Sequence, residues 1–222
     1  MSQASRTSMT KTPGGTASAL NSSSQICTVR IELRGSDPLI WRQVEVPTSI
    51  TLDVLHDVIQ IAMGWRDCHP WEFKIGKQRY GLPMEDDWGA VPRAEADGVC
   101  LRDVLKPRKR TIDYLYDFGD AWEHRLTATD IRQGEPGASY PRYIVGERAG
   151  PPEDSGGIPG FYSMLDARAD PEHPSHAEIT QWLNDYDPKL IDEVLLRTSC
   201  LPSFRFSDGE GRRSRNVSSW IA

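Results

Sequence analysis

The spacing of apolar residues near the start of the chain constrains the fold most, because it changes from a strand period to a helical period. Across residues 27–34 apolar and polar side chains alternate, which is typical of a half-buried β-strand. Turn-forming residues follow at 35–38, and a second strand at 39–46 stops at Pro47. The pattern predicts a β-hairpin with Cys27 on its buried face.

The next segment changes to a helical period. Its apolar positions are Leu52, Leu55, Ile59, Ala62 and Met63. Thr51 is the predicted N-cap, Asp53 lies in the first turn where the helix dipole favours a carboxylate, and Gly64 is the predicted C-terminal cap. An amphipathic helix is therefore expected directly after the hairpin.

The rest of the chain predicts further strands and three short helices. The predicted strands are 71–75, 111–116 and 121–129, and the predicted helices are near 161–169, 175–184 and 188–197. The strands 111–116 and 121–129 form a second hairpin around Gly119. Glu72 lies opposite its apolar neighbours Trp71 and Phe73, so we expect it to face solvent.

The order of these elements predicts an α+β fold. Its core resembles a β-grasp (hairpin, helix, strands), extended by the second hairpin and covered by the short C-terminal helices. The Ser/Thr-rich residues 1–24 have almost nothing to bury and are expected to be a disordered tail. We expect one domain over residues 25–198 and a flexible C-terminal tail at 199–222.

Composition excludes several classes of protein. The formal net charge of −6 over 222 residues argues against duplex DNA binding, which usually requires a basic face, although a local basic patch stays open. The four cysteines form no Cys-x-x-Cys motif. The chain has no apolar run of about 18 residues for a membrane span and no secretory signal, so a cytoplasmic location is expected.

The most function-like feature is the sequence YDFGDAWEH at residues 116–124. His124 shares its strand face with apolar neighbours, while Asp117 and Asp120 lie at the hairpin tip. These three residues are candidates for a general base oriented by acids, or, with His69, for a divalent metal site. The alternative is structural, because Asp-x-Gly-Asp is ordinary turn chemistry.

A second candidate is the Gly- and Pro-rich loop at residues 146–157. It lacks the Gly-Lys-Ser/Thr of a phosphate-binding loop, and its carboxylates repel phosphate. A loop of this length in a compact domain is often functional, so it is either a structural lid or a binding loop. The residues expected to contact a ligand or partner are Glu147, Glu153, Asp154 and Trp122.

Several motifs together resemble the Ri-plasmid ORF-three-like family. They lie at residues 31–42, 51–65, 116–124 and 151–157, and the resemblance covers roughly residues 26–195. Family members are mostly uncharacterised proteins of bacteria, archaea and plasmids, some labelled transposon resolvase. The sequence shows neither the serine and arginines of a serine resolvase nor the tyrosine, arginines and histidine of a tyrosine recombinase.

The chain departs from the family where relatives carry metal-ligand residue types. Many relatives have a His-x-His-Glu-Phe segment, but Trp71 replaces the second histidine here. Many also have cysteines where this chain has Tyr143, Gly150 and Ser155. A metal site shared with such relatives is therefore not expected.

Three functions follow from these patterns. The first is a non-enzymatic binding or adaptor domain of a plasmid or mobile-element type, with a protein or a small ligand as partner. The second is a metal-dependent hydrolase or nuclease that uses Asp117, Asp120 and His124. The third is DNA recombination, which rests on the family label alone. The sequence does not decide whether the protein is an enzyme, and it leaves the cofactor unknown, with a divalent metal as the candidate.

Overall fold

The computed structural model describes residues 25–82, 93–108 and 110–199. Its strands are β1 Gln25–Leu33, β2 Trp41–Pro47, β3 Trp71–Ile75, β4 Gln78–Gly81, β5 Ala94–Glu95, β6 Thr111–Tyr116, β7 Trp122–Gln133 and β8 Arg142–Glu147. Its helices are α1 Leu52–Met63, α2 Leu101–Val104, α3 Gly157–Ala169, α4 His176–Leu183 and α5 Glu193–Ser199. The predicted α+β class is confirmed.

All eight strands join one sheet, in the order β5-β4-β3-β6-β7-β1-β2-β8. Every neighbouring pair is antiparallel except β4 and β5, which are parallel. Both predicted hairpins are present, and β7 joins them by pairing with β1. The grasp-like detail is not confirmed, because β1 lies between two antiparallel partners.

One face of the sheet carries the core. Alternate residues of β1, β3, β6 and β7 point to this face and are almost completely buried, and α1 packs its apolar stripe against them. Cys27 is fully buried, as predicted, and burial raises the pKa of its thiol to about 12. The strand periodicity therefore placed the core correctly.

The opposite face of the sheet is charged. Arg125 pairs there with Asp113 at 3.1 Å, and Glu45 accepts contacts of 2.6 Å from Arg132 and Arg142. Such alternation of signs across neighbouring strands lets a sheet face meet water without a covering layer.

The prediction that Glu72 faces solvent is wrong. Its side chain points away from the core, as the alternation requires, but the residue is only 5% exposed. Arg79 and Arg93 lie over it, with contacts of 3.2 and 3.0 Å to its carboxylate. A strand pattern gives the face on which a side chain lies, but not what covers that face.

Helix α1 begins and ends where the sequence indicates. Thr51 is the N-cap residue, and Asp53 lies in the first turn. Gly64 adopts a left-handed conformation with φ of 85°, and its N–H donates to the carbonyl of Gln60 at 2.9 Å. This cap ends the helix beside the loop at 149–154, which positions the site described below.

The C-terminal helices differ from their predicted bounds for local reasons. Helix α3 begins at Gly157, earlier than predicted, because Pro159 falls in the first turn, where its missing N–H is tolerated. Helix α5 begins only at Glu193, because Asp187 closes a single turn through the N–H groups of Lys189 and Leu190.

Some predictions lie outside the described residues. These are the N-terminal tail at 1–24 and the C-terminal tail from residue 200 onward. The proposed domain limits of 25–198 stay a prediction. Within the ranges that the structure covers, none of the helices has both the length and the apolar surface that crossing a bilayer requires.

Candidate functional site

The motif at residues 116–124 spans the end of β6, a tight turn and the start of β7. Asp117 lies in the turn with φ of 56°. Its Oδ1 accepts hydrogen bonds from the N–H groups of Gly119 and Asp120 at 2.8 and 3.3 Å. Its own N–H donates to the carbonyl of Pro70 at 2.9 Å. One carboxylate oxygen therefore stabilises the turn, which leaves Oδ2 for another role.

Asp120 connects this turn to the loop before α3. Its Oδ2 accepts a hydrogen bond of 3.0 Å from the N–H of Gly156. A Cβ atom on residue 157 would lie only 2.3 Å from the carbonyl oxygen of Asp120, and Gly157 has a φ of 66°. Only glycine fits this approach, so the Gly-Gly pair is explained by the contact between turn and loop.

His124 is not beside the two carboxylates. It is fully buried, and its Nδ1 donates to the carbonyl of Trp122 at 2.9 Å. The rings of Trp65 and Tyr114 lie 5.3 and 5.5 Å from the imidazole, centroid to centroid. Burial lowers the pKa of His124 to about 3, while the Trp122 and Tyr114 carbonyls act in the opposite direction. The imidazole is therefore neutral at physiological pH.

Trp122, a predicted partner-contacting residue, belongs to the core. It is 0% exposed. Its ring centroid lies 6.0 Å from that of Trp65, whose Nε1 donates to the carbonyl of Pro151 at 2.8 Å. Trp122 therefore cannot touch a partner without unfolding, and it acts by supporting the residue that holds the loop.

The two glutamates of the predicted loop already have partners. Glu153 Oε1 accepts a hydrogen bond of 2.5 Å from the hydroxyl of Tyr116 and one of 3.1 Å from the N–H of Arg66. Burial, followed by this carboxylate, raises the pKa of Tyr116, which keeps its hydroxyl a donor. Glu147 accepts a weaker contact of 3.4 Å from Nε1 of Trp41.

The structure brings His69 and Asp117 together and adds Asp154 to them. His69 Nε2 lies 3.1 Å from Asp154 Oδ1 and 3.7 Å from Asp117 Oδ2. One potential ligand atom from each residue lies within 4.8 Å of the others. Of the four sequence candidates for a metal, His69 and Asp117 therefore lie close together, whereas Asp120 and His124 make other contacts.

Sequence reasoning missed a buried polar network around His56. His56 Nε2 donates to Asp67 at 2.7 Å, and Nδ1 contacts the hydroxyl of Tyr114 at 2.8 Å. Gln60 donates to the same hydroxyl at 3.0 Å and accepts from the N–H of Asp67. The imidazole stacks on Trp71 at 4.1 Å. His56 lies on the apolar stripe of α1, which is the signal that could have found it.

Changing Tyr114 to phenylalanine should destabilise the fold by about 1–3 kcal/mol, because it leaves His56 and Gln60 without their shared buried partner. Urea denaturation of the variant and of the wild type measures the difference. The matched control is Tyr162→Phe, whose hydroxyl accepts one exposed hydrogen bond from Asp37. Equal losses in the two variants would contradict a structural role for the network.

An open groove of about 560 Å³ lies between the end of α1, the loop at 149–154 and the C-terminal helices. Its apolar wall includes Ile61, Met63, Pro151, Leu183, Leu190 and Leu196. Two large apolar side chains at the groove are exposed, Trp182 at 46% and Leu190 at 68%. The volume falls within the range of about 300–1,000 Å³ that is common for ligand pockets.

Two polar groups in this groove have unused hydrogen-bonding capacity. Arg42 is 2% exposed, and its Nε and Nη1 donate to the carbonyls of Ala62, Trp41 and Glu147. Among the described residues Nη2 has no hydrogen-bond partner. The Tyr186 hydroxyl is buried and likewise has none within the described part of the chain.

These features define a single-sheet α+β domain with a groove beside its helices. The chain belongs to the family of plasmid pRiA4b ORF-3-like proteins, whose sequence model matches residues 25–194. It is 37% identical over 163 residues to the uncharacterised protein y4hQ of Sinorhizobium fredii, covering 72% of this chain and 82% of that protein.

A solved structure extends the similarity to the fold. The protein of unknown function MM3350 from Methanosarcina mazei Go1 is 30% identical and superimposes with a TM-score of 0.72. The match covers 78% of this chain and 97% of that one. Neither relative's name states an activity, so the function of this chain is argued from its own groove.

Proposed function

We propose that this chain is a non-enzymatic binding domain whose groove takes the apolar C-terminal end of a partner protein, carboxylate included. The observation that carries the proposal is the pairing of apolar walls with two polar groups, Arg42 Nη2 and the Tyr186 hydroxyl, that have no hydrogen-bond partner among the described residues. The plasmid setting in the family's name accords with an accessory role in a mobile element, which is part of the same proposal.

The apolar part of the ligand follows from the exposed surface. Leu190 and Trp182 expose large apolar side chains at the groove, and a cluster of this kind on a soluble domain usually marks a binding site. An apolar peptide side chain in the groove would cover these residues, and it would extend the small apolar cluster of Tyr143 and Leu196.

The electrostatic potential in the groove favours a ligand with a carboxylate. Burial raises the pKa of Tyr186, and Arg168, Arg148 and Arg42 act in the opposite direction, which means that positive charge surrounds the hydroxyl. Burial lowers the pKa of Arg42 to about 10, so its guanidinium stays charged at neutral pH. A carboxylate can accept from both donors, and charge-assisted bonds of this type are strong.

Three acidic residues line the groove, and two of them belong to the loop at 149–154. Of these two, Glu153 is engaged by Tyr116 and Arg66, and Asp154 lies against His69. The third, Asp192, lies just before α5. The positive charge near the Tyr186 hydroxyl directs an incoming carboxylate to Arg42 and Tyr186.

Geometry disfavours the hydrolase alternative built on Asp117, Asp120 and His124. A shared reaction centre needs all three side chains at one substrate. Here Asp117 holds its turn, Asp120 holds Gly156, and His124 is enclosed in the core. No observation favours DNA recombination over binding.

The binding test uses fluorescein-labelled nonapeptide pools that end in Leu, Ile, Val or Phe. We expect the pools with a free C-terminal carboxylate to bind and to be recovered uncut, and C-terminally amidated copies to bind far more weakly. Tyr186→Phe should weaken binding about tenfold or more, because it removes a hydrogen bond to a charged group. Fluorescence anisotropy measures the affinities, and mass spectrometry checks for cleavage.

The matched control is Tyr162→Phe, which removes a hydroxyl outside the groove and should leave the affinity unchanged. A second variant, Leu190→Asp, places a charge at a 68% exposed position and should abolish binding without unfolding the domain. Equal binding of amidated and free peptides would contradict the carboxylate. Failure of every pool to bind would contradict the proposed function itself.

A further inference from the structure

We propose that His69, Asp117 and Asp154 form a binding site for one divalent transition-metal ion such as Zn²⁺. Their ligand atoms lie within 4.8 Å of one another. The inference is independent of the proposed peptide groove, since none of its tests requires a peptide. It replaces the sequence-based set, because Asp154 supplies the third ligand in place of Asp120 and His124.

The distances suit ligands that share one ion. Zinc binds histidine nitrogen and carboxylate oxygen at about 2.0–2.2 Å, so two ligands at tetrahedral or octahedral angles lie roughly 3.0–3.5 Å apart. The observed separations from His69 Nε2 are 3.1 Å to Asp154 and 3.7 Å to Asp117. The third separation, between the ligand atoms of Asp117 and Asp154, is at most 4.8 Å, and an inward movement of the exposed Asp154 side chain would bring all three onto one ion.

The state of the His69 nitrogen is the second, independent observation. Nε2 is buried and has no hydrogen-bond partner among the described residues, although a carboxylate oxygen lies 3.1 Å away. That oxygen is therefore poorly placed along the N–H direction. Two ligands of one metal ion are arranged in this way. The lone pair of each ligand atom points to the ion that lies between them, so the two atoms are close together but are not aligned for a hydrogen bond.

A second group of residues that could bind a metal, His56, Asp57 and Asp67, differs from the His69 group. There both ring nitrogens of the histidine are engaged, Nε2 with Asp67 and Nδ1 with Tyr114. Metal binding at that group would break a buried network, so we assign the ion to His69.

The surrounding structure already orients the ligands. Asp117 Oδ1 is held by the N–H groups of its own turn, which directs Oδ2 toward His69. Hydrogen bonds of this kind to a ligating carboxylate fix its rotamer and are typical of protein metal sites. Asp154 is 74% exposed in its side chain, so solvent can reach the ion and supply further ligands.

The ligand set also defines the class of ion. One imidazole and two carboxylates suit Zn²⁺, Co²⁺ or Mn²⁺, whereas soft ions prefer thiolates. The ion would neutralise two neighbouring carboxylates and join the β6–β7 turn to the loop at 149–154. The expected consequence is a more stable loop at the groove wall.

The test titrates the tag-free full-length chain, first dialysed against EDTA, with Co²⁺ and then with Zn²⁺. We expect one Co²⁺ per chain with visible d–d absorption but no thiolate charge-transfer band, displaced by Zn²⁺. Saturating Zn²⁺, at about 100 times Kd, should raise Tm by roughly 5–10 °C. Elemental analysis after desalting gives the stoichiometry.

Asp154→Asn keeps the shape of an exposed side chain and should weaken Zn²⁺ binding at least tenfold, and His69→Ala should abolish it. The matched controls are Asp166→Asn and His173→Ala, both at exposed positions outside the cluster, and both should bind like the wild type. Absence of stoichiometric binding below 100 µM, or unchanged binding in Asp154→Asn with retained circular dichroism, would overturn the site. A thiolate band would overturn the ligand set.

Discussion

Replacing His124 with asparagine should lower by about one the number of protons that the chain takes up when it unfolds in mild acid. The expected result is a variant whose free energy of unfolding falls less steeply than that of the wild type between pH 6.5 and pH 4. Asparagine is chosen because its amide N–H can replace Nδ1 as the donor to the Trp122 carbonyl. Urea denaturation at a series of pH values, with EDTA present, measures the slope.

The sign follows from the two states of the histidine. Its pKa is about 3 in the folded chain and about 6.5 when unfolded. Between these values the unfolded chain binds a proton that the folded chain cannot accept, so acid favours unfolding. Lowering the pH from 8 to 4 should therefore cost about 3 kcal/mol through this residue alone, and nothing is lost above pH 7.

His173→Asn is the matched control, since His173 is exposed and its change should leave the slope unaltered. A wild-type slope retained in the His124 variant would mean that other groups dominate acid unfolding. It would also contradict the neutral, buried state of this imidazole.

Trp122→Ala is expected to cost about 3–5 kcal/mol of unfolding free energy, enough to unfold much of a marginally stable domain. The reason is the complete burial of the indole and its packing against Trp65. Thermal denaturation and near-ultraviolet circular dichroism measure the loss.

The matched control makes the same change at the groove. Trp182 is 46% exposed, so Trp182→Ala should cost no more than about 1 kcal/mol. On the proposed function it should nevertheless weaken peptide binding. A small stability loss in Trp122→Ala would contradict its placement in the core and restore it as a candidate contact residue.

The contacts of the motif at residues 116–124 mainly hold the loop at 149–156 in position. Tyr116 donates to Glu153, Asp120 accepts from Gly156, and Trp122 supports the Trp65 ring that binds Pro151. The loop forms one wall of the groove and carries Asp154 of the proposed metal site. On the proposed function, the motif therefore acts by positioning a loop of the groove.

The local sequence was sufficient to predict the strands and the helix whose formation depends on neighbouring residues. The alternation at residues 27–34 and the helical period at 52–63 predicted β1 and α1, and Gly64 predicted the end of the helix. These patterns are reliable because a strand or a helix fixes the direction of each side chain relative to its near neighbours.

Only the tertiary structure decided which ionisable groups meet. The burial of Glu72 depends on Arg93, 21 residues away, and the His69 site depends on Asp154, which reaches it from a loop after β8. His124 was placed on the correct face, but whether that face met carboxylates or aromatic rings was set by the packing of Trp65 and Tyr114. Periodicity fixes where a side chain points, whereas its pKa and its partners depend on residues that are distant in the sequence.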